Sequence, residues 1–335
     1  MKLNKKSLII LLSIMVAIGV LACIRMVTLR TANETAYPIY IADGETFDTL
    51  MERQQKELYI EHPTVFRLMA KARGLDKRLS PGHYLMKPDM KYIDLVQKLY
   101  RGQQDPIRLT IGKFRTPQQL DEYLNGKLMH NDFDIPLDSF HLILPDTYEF
   151  YWTVTPEQFM QRMEREYEKF WQEKVGANGE RRFELLSMSD FIPDTRLAAI
   201  IIASIVEEET NYGPEKPRIA SVYWNRLDRG MPLQADPTVK YAVGDFTLRR
   251  IMNKHLSTDS PFNTYLHAGL PPAPICLPSK ATIDAVIAGE DLESNYLYFC
   301  ASEKMDGTHR FAATLAEHNR NAAAFHRALT ARGIH

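Results

Sequence analysis

The chain of 335 residues is long enough for about two domains at roughly 150 residues each. Its composition, 45% hydrophobic and 25% charged, excludes a disordered tail, a collagen-like chain and a polytopic membrane protein. Lys+Arg of 41 against Asp+Glu of 42 leaves a formal net charge of -1, so no global field attracts a polyanion and no nucleic-acid partner is expected.

The first predicted element is apolar. Leu8 to Ile24 reads LIILLSIMVAIGVLACI, uncharged throughout. As a helix it spans roughly 26 Å, and Met26 and Val27 extend it toward the ~30 Å of a bilayer's hydrocarbon core. Lys2, Lys5 and Lys6 precede it and Arg25 and Arg30 follow, which favours a cytoplasmic amino side. Residues 1–30 therefore read as a cytoplasmic stub and a retained transmembrane anchor. A cleaved secretory peptide and a lipoprotein box at Val20-Leu21-Ala22-Cys23 are the alternatives. All three export the rest of the chain. Thr31 to Ala36 reads as a short polar linker.

Ile39-Tyr40-Ile41 alternates like a strand and runs into the Asp43-Gly44 turn. Thr46 is placed to cap a helix carrying Phe47, Leu50 and Met51. A second helix is predicted from Pro63 to Arg73, ending at Gly74. Pro81-Gly82 is a turn, His83 to Met86 a strand, and Ile93 to Tyr100 an amphipathic helix. This describes a compact α+β module over residues 37–106. Ile107 to Ile111 is then a strand, and Thr116-Pro117 opens a helix through Leu124. Leu142 to Tyr148 reads as an apolar strand breaking at Pro145-Asp146. Pro156 to Val175 is a long amphipathic helix, followed by a Gly176-Ala177-Asn178-Gly179 loop.

Asp194 to Asn211, DTRLAAIIIASIVEEETN, is the chemically dense stretch. Asp194 or Thr195 caps a helix that is apolar all round from Leu197 to Val206, the pattern of a buried helix. Glu207, Glu208 and Glu209 follow directly. Each helical step rotates ~100°, so the three carboxylates cannot share a face. Glu207 stacks over Ala203 and Ser204 and is the expected carboxyl withdrawn from water. Withdrawal raises its pKa and suits it to general-acid work. The rival reading is a solvated helix end. Pro214 opens another helix with Ile219, Val222 and Leu227, closing at Gly230. Gln234 to Thr238 is a polar stretch with Asp236 as cap and Pro237 in the first turn. Asn263-Thr264-Tyr265 and Gly269 to Pro272 form a rigid polar loop. Amides and aromatics beside a buried acid suit carbohydrate more than phosphate.

Three cysteines, Cys23, Cys276 and Cys300, are too few for a disulfide scaffold. Cys276 and Cys300 have the option of pairing, though their spacing does not require it. With no CxxC or HExxH, zinc has no support. His309 and His318 lack a helical metal-ligand spacing and no carboxyl or thiol set accompanies them, so no metal is expected.

Ala203-Ser204-Ile205-Val206-Glu207-Glu208-Glu209-Thr210 resembles the signature helix of the YceG-like endolytic murein transglycosylases, the family also called MltG. The likeness continues through Ile219 to Val222, Asn225-Arg226-Leu227, Met231 to Val239 and Tyr241. Further blocks are Asn263-Thr264-Tyr265, Gly269 to Ile275, Tyr296 to Phe299, His309-Arg310-Phe311 and Glu317-His318-Asn319. Pro145 to Tyr148 also fits. The early α+β module, with Asp43-Gly44-Glu45-Thr46 near its start, is similar to the family's LysM-like subdomain. Two departures stand out: Ser139-Phe140-His141 replaces a usual Leu-Glu-Gly, and Ile111-Gly112-Lys113-Phe114 replaces a Pro-Glu-Gly-Trp-like turn.

The resemblance implies an α+β protein with a transmembrane helix, a LysM-like glycan-binding module (37–106) and a larger mixed α+β catalytic domain (107–335). It implies cleavage of the β-1,4 bond between N-acetylmuramic acid and N-acetylglucosamine in nascent peptidoglycan, with a 1,6-anhydro end as product and no need of a cofactor. On the matched position Glu207 is the catalytic carboxyl. Glu209, Gln234, Asp236, Tyr241, Asn263, Thr264 and Asn319 are the expected substrate contacts or supports of the acid. The expected location is the inner membrane with the catalytic domain in the periplasm, beside peptidoglycan synthases. A hydrolytic muramidase and a non-catalytic glycan-binding scaffold are the alternatives.

Overall fold

The computed structural model describes residues 5–56, 60–174, 195–248, 250–288 and 294–333. The predicted loop at 176–179 and the capping role of Asp194 lie outside these residues. The fold is mixed α+β, and the chain divides into two compact units. Unit one comprises Met1–Leu109, Lys127–Asn131 and Glu149–Thr155, and unit two comprises Thr110–Gly126, Asp132–Tyr148 and Pro156–His335.

Unit one opens with α1 (Lys5–Thr28), which from Leu8 is long and apolar enough to cross a membrane. Its large apolar side chains from Leu8 to Ile24 are 51–66% exposed, so no protein core covers them. Strands β1 (Tyr37–Ile41) and β2 (Gly82–Met86) pair antiparallel, with Tyr37 opposite Met86 and Ile41 opposite Gly82. Helices α2 (Phe47–Lys56), α3 (Pro63–Arg73) and α4 (Tyr92–Tyr100) complete the module. Thr46 caps α2 by accepting from the Thr49 N–H at 3.2 Å. Gly74 ends α3 at φ 81°, a left-handed position that a side chain resists. The core gathers Ile39, Ile41, Phe47, Leu50, Phe66, Tyr84, Tyr92 and Leu95.

The expected linker at Thr31–Ala36 is not loose. Thr31 is 5% and Asn33 4% exposed, and Asn33 Nδ2 donates to the Met86 carbonyl at 3.0 Å. Polar composition suggested solvent, but these side chains complete the backbone bonding of the turn after β2.

Strands β3 (Ile107–Ile111) and β4 (Asp146–Phe150) form a second two-stranded sheet. The predicted strand at 142–148 is therefore displaced. Leu137–Leu142 is a 3-10 helix, Ile143 and Leu144 are buried without being in a strand, and β4 begins only after Pro145, which has no N–H to give a ladder.

In unit two, α5 (Pro117–Asn125) is capped by Thr116, whose side chain accepts from the Gln119 N–H. Next come α6 (Pro156–Lys174), α7 (Thr195–Glu209), α8 (Lys216–Asp228), α9 (Asp236–Val243), α10 (Asn253–Leu256) and α11 (Lys280–Ala288). Strands β5 (Tyr298–Ala301) and β6 (His309–Ala312) pair antiparallel, and α12 (Leu315–Ala331) packs on both. Helix α7 is the axis of this unit: Ala198 through Val206 are all buried, as an all-apolar helix requires. Trp171 from α6, Tyr223 and Trp224 from α8, and Ile283 and Val286 from α11 enclose it. Cys276 is buried and Cys300 half-buried, and both are free thiols.

Candidate active site

The apolar body of α7 ends at Val206, and the next three residues emerge at successive ~100° steps. Each carboxyl finds a different environment. Glu207 Oε2 accepts from Lys216 Nζ at 3.0 Å, from Ser279 Oγ at 3.0 Å and from the Thr282 hydroxyl. Burial pushes this carboxyl up, but the three donors and the Lys216 charge outweigh it and hold its pKa below the ordinary value. Glu208 forms ion pairs with Lys113 at 2.7 Å and Arg115 at 3.1 Å. Burial again opposes ionisation, and the two cations again prevail.

Glu209 differs. Its one hydrogen bond to a described residue comes from the Tyr223 hydroxyl, which donates to Oε1 at 2.7 Å. Oε2 is bonded to none of the described residues. The residue keeps partial solvent access, yet protein crowds round the carboxyl, so it is recessed rather than sealed. Burial raises its pKa to about 7, the charges of Asp236 and Glu208 add to the rise, and the Tyr223 bond opposes it. Glu207 is withdrawn from water as expected, its side chain 16% exposed, but the expected rise of its pKa is corrected to a fall. Glu207 is a clamped carboxylate, and the physical criterion set for a general acid is met two residues later. The reason is tertiary: α8 and α11 present a lysine and two hydroxyls to position 207, and a phenol to position 209.

Asp236 is exposed at the start of α9 and accepts from the Tyr265 hydroxyl at 2.7 Å. It is the first helical residue, not the cap; the cap position is Ala235. A carboxylate in the first turn of a helix is favoured by the free N–H groups there. Gln234 adopts φ 50°, a left-handed conformation uncommon for a side-chain-bearing residue, and its N–H donates to the Thr264 carbonyl at 3.1 Å. Strain of this kind gathers at working sites. Thr264 and Asn263 are buried and act as scaffold. Thr264 Oγ1 accepts from the Ala235 N–H at 3.0 Å, and Asn263 Nδ2 donates to the Leu256 and Thr258 carbonyls, both at 2.9 Å. Tyr241 stacks its ring near Phe262 at 4.5 Å and Phe246 at 6.1 Å, and the Arg115 guanidinium lies 5.3 Å over Phe246. Asn319 is exposed on α12, and its side chain makes no hydrogen bond to any described residue. His309 Nδ1 lies 2.8 Å from Glu215, while His318 stacks on Tyr298 at 5.4 Å.

Residues 39–324 match the model of the YceG-like family. The chain belongs to the YceG-like family. Among relatives, an endolytic murein transglycosylase of Bacillus subtilis is 42% identical over 121 residues, covering 36% of this chain and 32% of the relative. An endolytic murein transglycosylase of Streptococcus pneumoniae is 25% identical over 338 residues, covering 87% of this chain and 59% of the relative. The chain thus spans about a third and three-fifths of these two proteins. The crystal structure of a YceG-like protein from Listeria monocytogenes is 25% identical, with a TM-score of 0.50, and the match covers 86% of this chain and 99% of that one.

Several residues of this YceG-like site were not singled out by sequence. Tyr223 was not singled out, and Tyr265 lay within the matched Asn263-Thr264-Tyr265 motif without being given a role. Lys113 stood only within the Ile111-Gly112-Lys113-Phe114 departure, and Arg115, Lys216, Ser279 and Thr282 gave no signal, because nothing in their local sequence shows which distant carboxylate they face. Arg226 lay within a matched motif, which was the available clue.

Proposed function

We propose that the chain is an endolytic murein transglycosylase, and that Glu209 is its catalytic carboxyl. The observation that carries this reading is the recessed Glu209 carboxyl, poised near neutral pH, held by Tyr223 and set beside Asp236. The family's relatives bearing that activity support it. The bond cleaved is the β-1,4 link between N-acetylmuramic acid and N-acetylglucosamine in nascent strands. Protonated Glu209 gives its proton to the glycosidic oxygen as the C1–O bond breaks. The resulting carboxylate takes the proton of the muramic C6 hydroxyl as that oxygen bonds to C1, closing a 1,6-anhydro ring. One carboxyl serves twice because the nucleophile is tethered, where ordinary glycosidases usually need a second carboxylate. Exposed Asp236 is placed to offset positive charge developing at C1. Gln234 and Tyr241 are the proposed glycan contacts, with Asn263 and Thr264 bracing their loop. The reading needs no cofactor or metal.

We assign α1 as a membrane anchor with a cytoplasmic amino end, residues 37–106 as the LysM-like element that positions the strand, and peptidoglycan synthases as neighbours. Mass analysis of sacculi digested by the full chain tests the reaction. Anhydro ends, one water lighter than reducing ends, are expected; reducing ends would show a hydrolase, and no release would show a scaffold.

A pH prediction follows from the Tyr223 bond. The acid must be protonated, so kcat/KM falls as pH rises through about 7. The tyrosine favours the ionised form, so Tyr223→Phe lets the carboxyl pKa rise. The alkaline limb should move to higher pH, with kcat on the acidic side little changed. A limb that stays in place would remove Tyr223 from this role.

A further inference from the structure

The end of α1 is not tethered to unit one by free chain; it is bonded into it. The Leu29 carbonyl accepts from the Tyr92 N–H at 2.9 Å. The Thr31 N–H donates to the Met90 carbonyl at 2.8 Å, and Thr31 Oγ1 accepts from the Met90 N–H at 3.1 Å. Arg30 Nη1 donates to Asp89 twice, at 2.9 Å to the carbonyl and 2.8 Å to Oδ2. Met26 and Leu29 already pack on the core of unit one.

Distances then decide where this edge lies if α1 spans the bilayer. Leu8–Thr28 is 21 residues, which at ~1.5 Å each matches a hydrocarbon core of about 30 Å. Thr28 therefore marks the hydrocarbon boundary. Thr31 is at most about 10 Å further along even as extended chain. The headgroup layer is itself about 5–7 Å deep on each side. Leu29, one residue past Thr28 and so at most about 4 Å further, lies within that layer, and Tyr92, bonded to the Leu29 carbonyl, cannot stand clear of it. The charge there fits. Arg25, Arg30, Lys87 and Lys91 are exposed on this edge, against Glu34, Asp94 and the Arg30-paired Asp89.

We propose that the Lys87–Lys91 turn is seated in the headgroup layer of an anionic phospholipid bilayer, held there by the docked segment Leu29–Asn33. Arg25, Lys87 and Lys91 face lipid phosphates, and each basic side chain near such a surface adds to the attraction. The β1–β2 register supplies a ruler. The paired stretch, Tyr37 opposite Met86 to Ile41 opposite Gly82, is about 14 Å long at ~3.4 Å per residue; Lys87 follows Met86 at one end, and Asp43 lies two residues past Ile41 at the other. Unit one is thus fixed over the membrane at one height instead of swinging on a leash.

This inference rests on α1 being an anchor, and the test separates the two. The full chain, with its cysteines replaced by serine or alanine, carries a nitroxide at Lys91→Cys or Asp43→Cys, both exposed sites. It is reconstituted in vesicles of phosphatidylcholine and phosphatidylglycerol containing a nickel-chelating headgroup lipid. Relaxation at position 91 is expected to exceed that at 43 severalfold, and to drop in vesicles of phosphatidylcholine alone. Equal relaxation at the two positions, or no response to anionic lipid, in protein that resists alkaline carbonate extraction overturns the inference while the anchor stands. Release of the protein by carbonate overturns the anchor reading itself.

Discussion

Glu209→Gln is expected to lower glycan cleavage by about 10²–10⁴-fold, the usual worth of a general acid, with the fold intact. The amide keeps the shape and still accepts from the Tyr223 hydroxyl, but it has no proton to give to a leaving oxygen. Glu207→Gln has a different expected signature. It leaves Lys216, only 14% exposed at its side chain, without its carboxylate, and should cost about 1–3 kcal/mol of stability. Release of anhydro ends from sacculi, measured beside thermal unfolding, distinguishes the two. Abolished turnover in a folded Glu207→Gln protein, with Glu209→Gln active, would return the acid to position 207. The stability of the two proteins against pH gives a second check. The folded pKa of Glu209, about 7, lies above the ordinary 4.5, so folding favours the protonated form. Its contribution is at its best below about 4.5 and declines as pH rises through about 7. Glu209→Gln should flatten that decline, so the variant gains on the parent between pH 5 and pH 8.

Arg226→Met is the substitution expected to cost most stability, about 3–5 kcal/mol. Arg226 is 8% exposed, and its guanidinium joins three pieces of chain. Nε donates to the Leu297 carbonyl at 2.6 Å, and Nη1 donates to the Leu233 carbonyl at 2.8 Å. Its charge also lies 5.2 Å over the Tyr298 ring. Methionine fills the volume but strands buried carbonyls at the base of the loop that carries Gln234 and Asp236. Arg226→Lys should recover little, because one ammonium cannot reproduce a planar fork aimed at two carbonyls. Calorimetry of the unit-two transition reads the loss, and a shift of under about 1 kcal/mol would show that the loop closes without this residue.

The sequence by itself determined what local chemistry and periodicity control. The apolar run of α1 and the all-apolar α7 are visible because burial or lipid contact selects residue type directly. So are the Gly74 stop and the Thr116 cap, whose partners lie within a few residues. The ordered motifs from Ala203 to Asn319 were enough to place the chain in its family. What sequence could not decide was which of three adjacent glutamates is protonated. That depends on partners 9 to 95 residues away, Lys216 and Thr282 for Glu207, Lys113 and Arg115 for Glu208, Tyr223 for Glu209. Nor could it show that Thr31–Asn33 is docked, since polar residues satisfying a buried backbone look the same in sequence as polar residues in water. A carboxyl's pKa is set by the charges and donors packed around it, and only the tertiary fold brings those together.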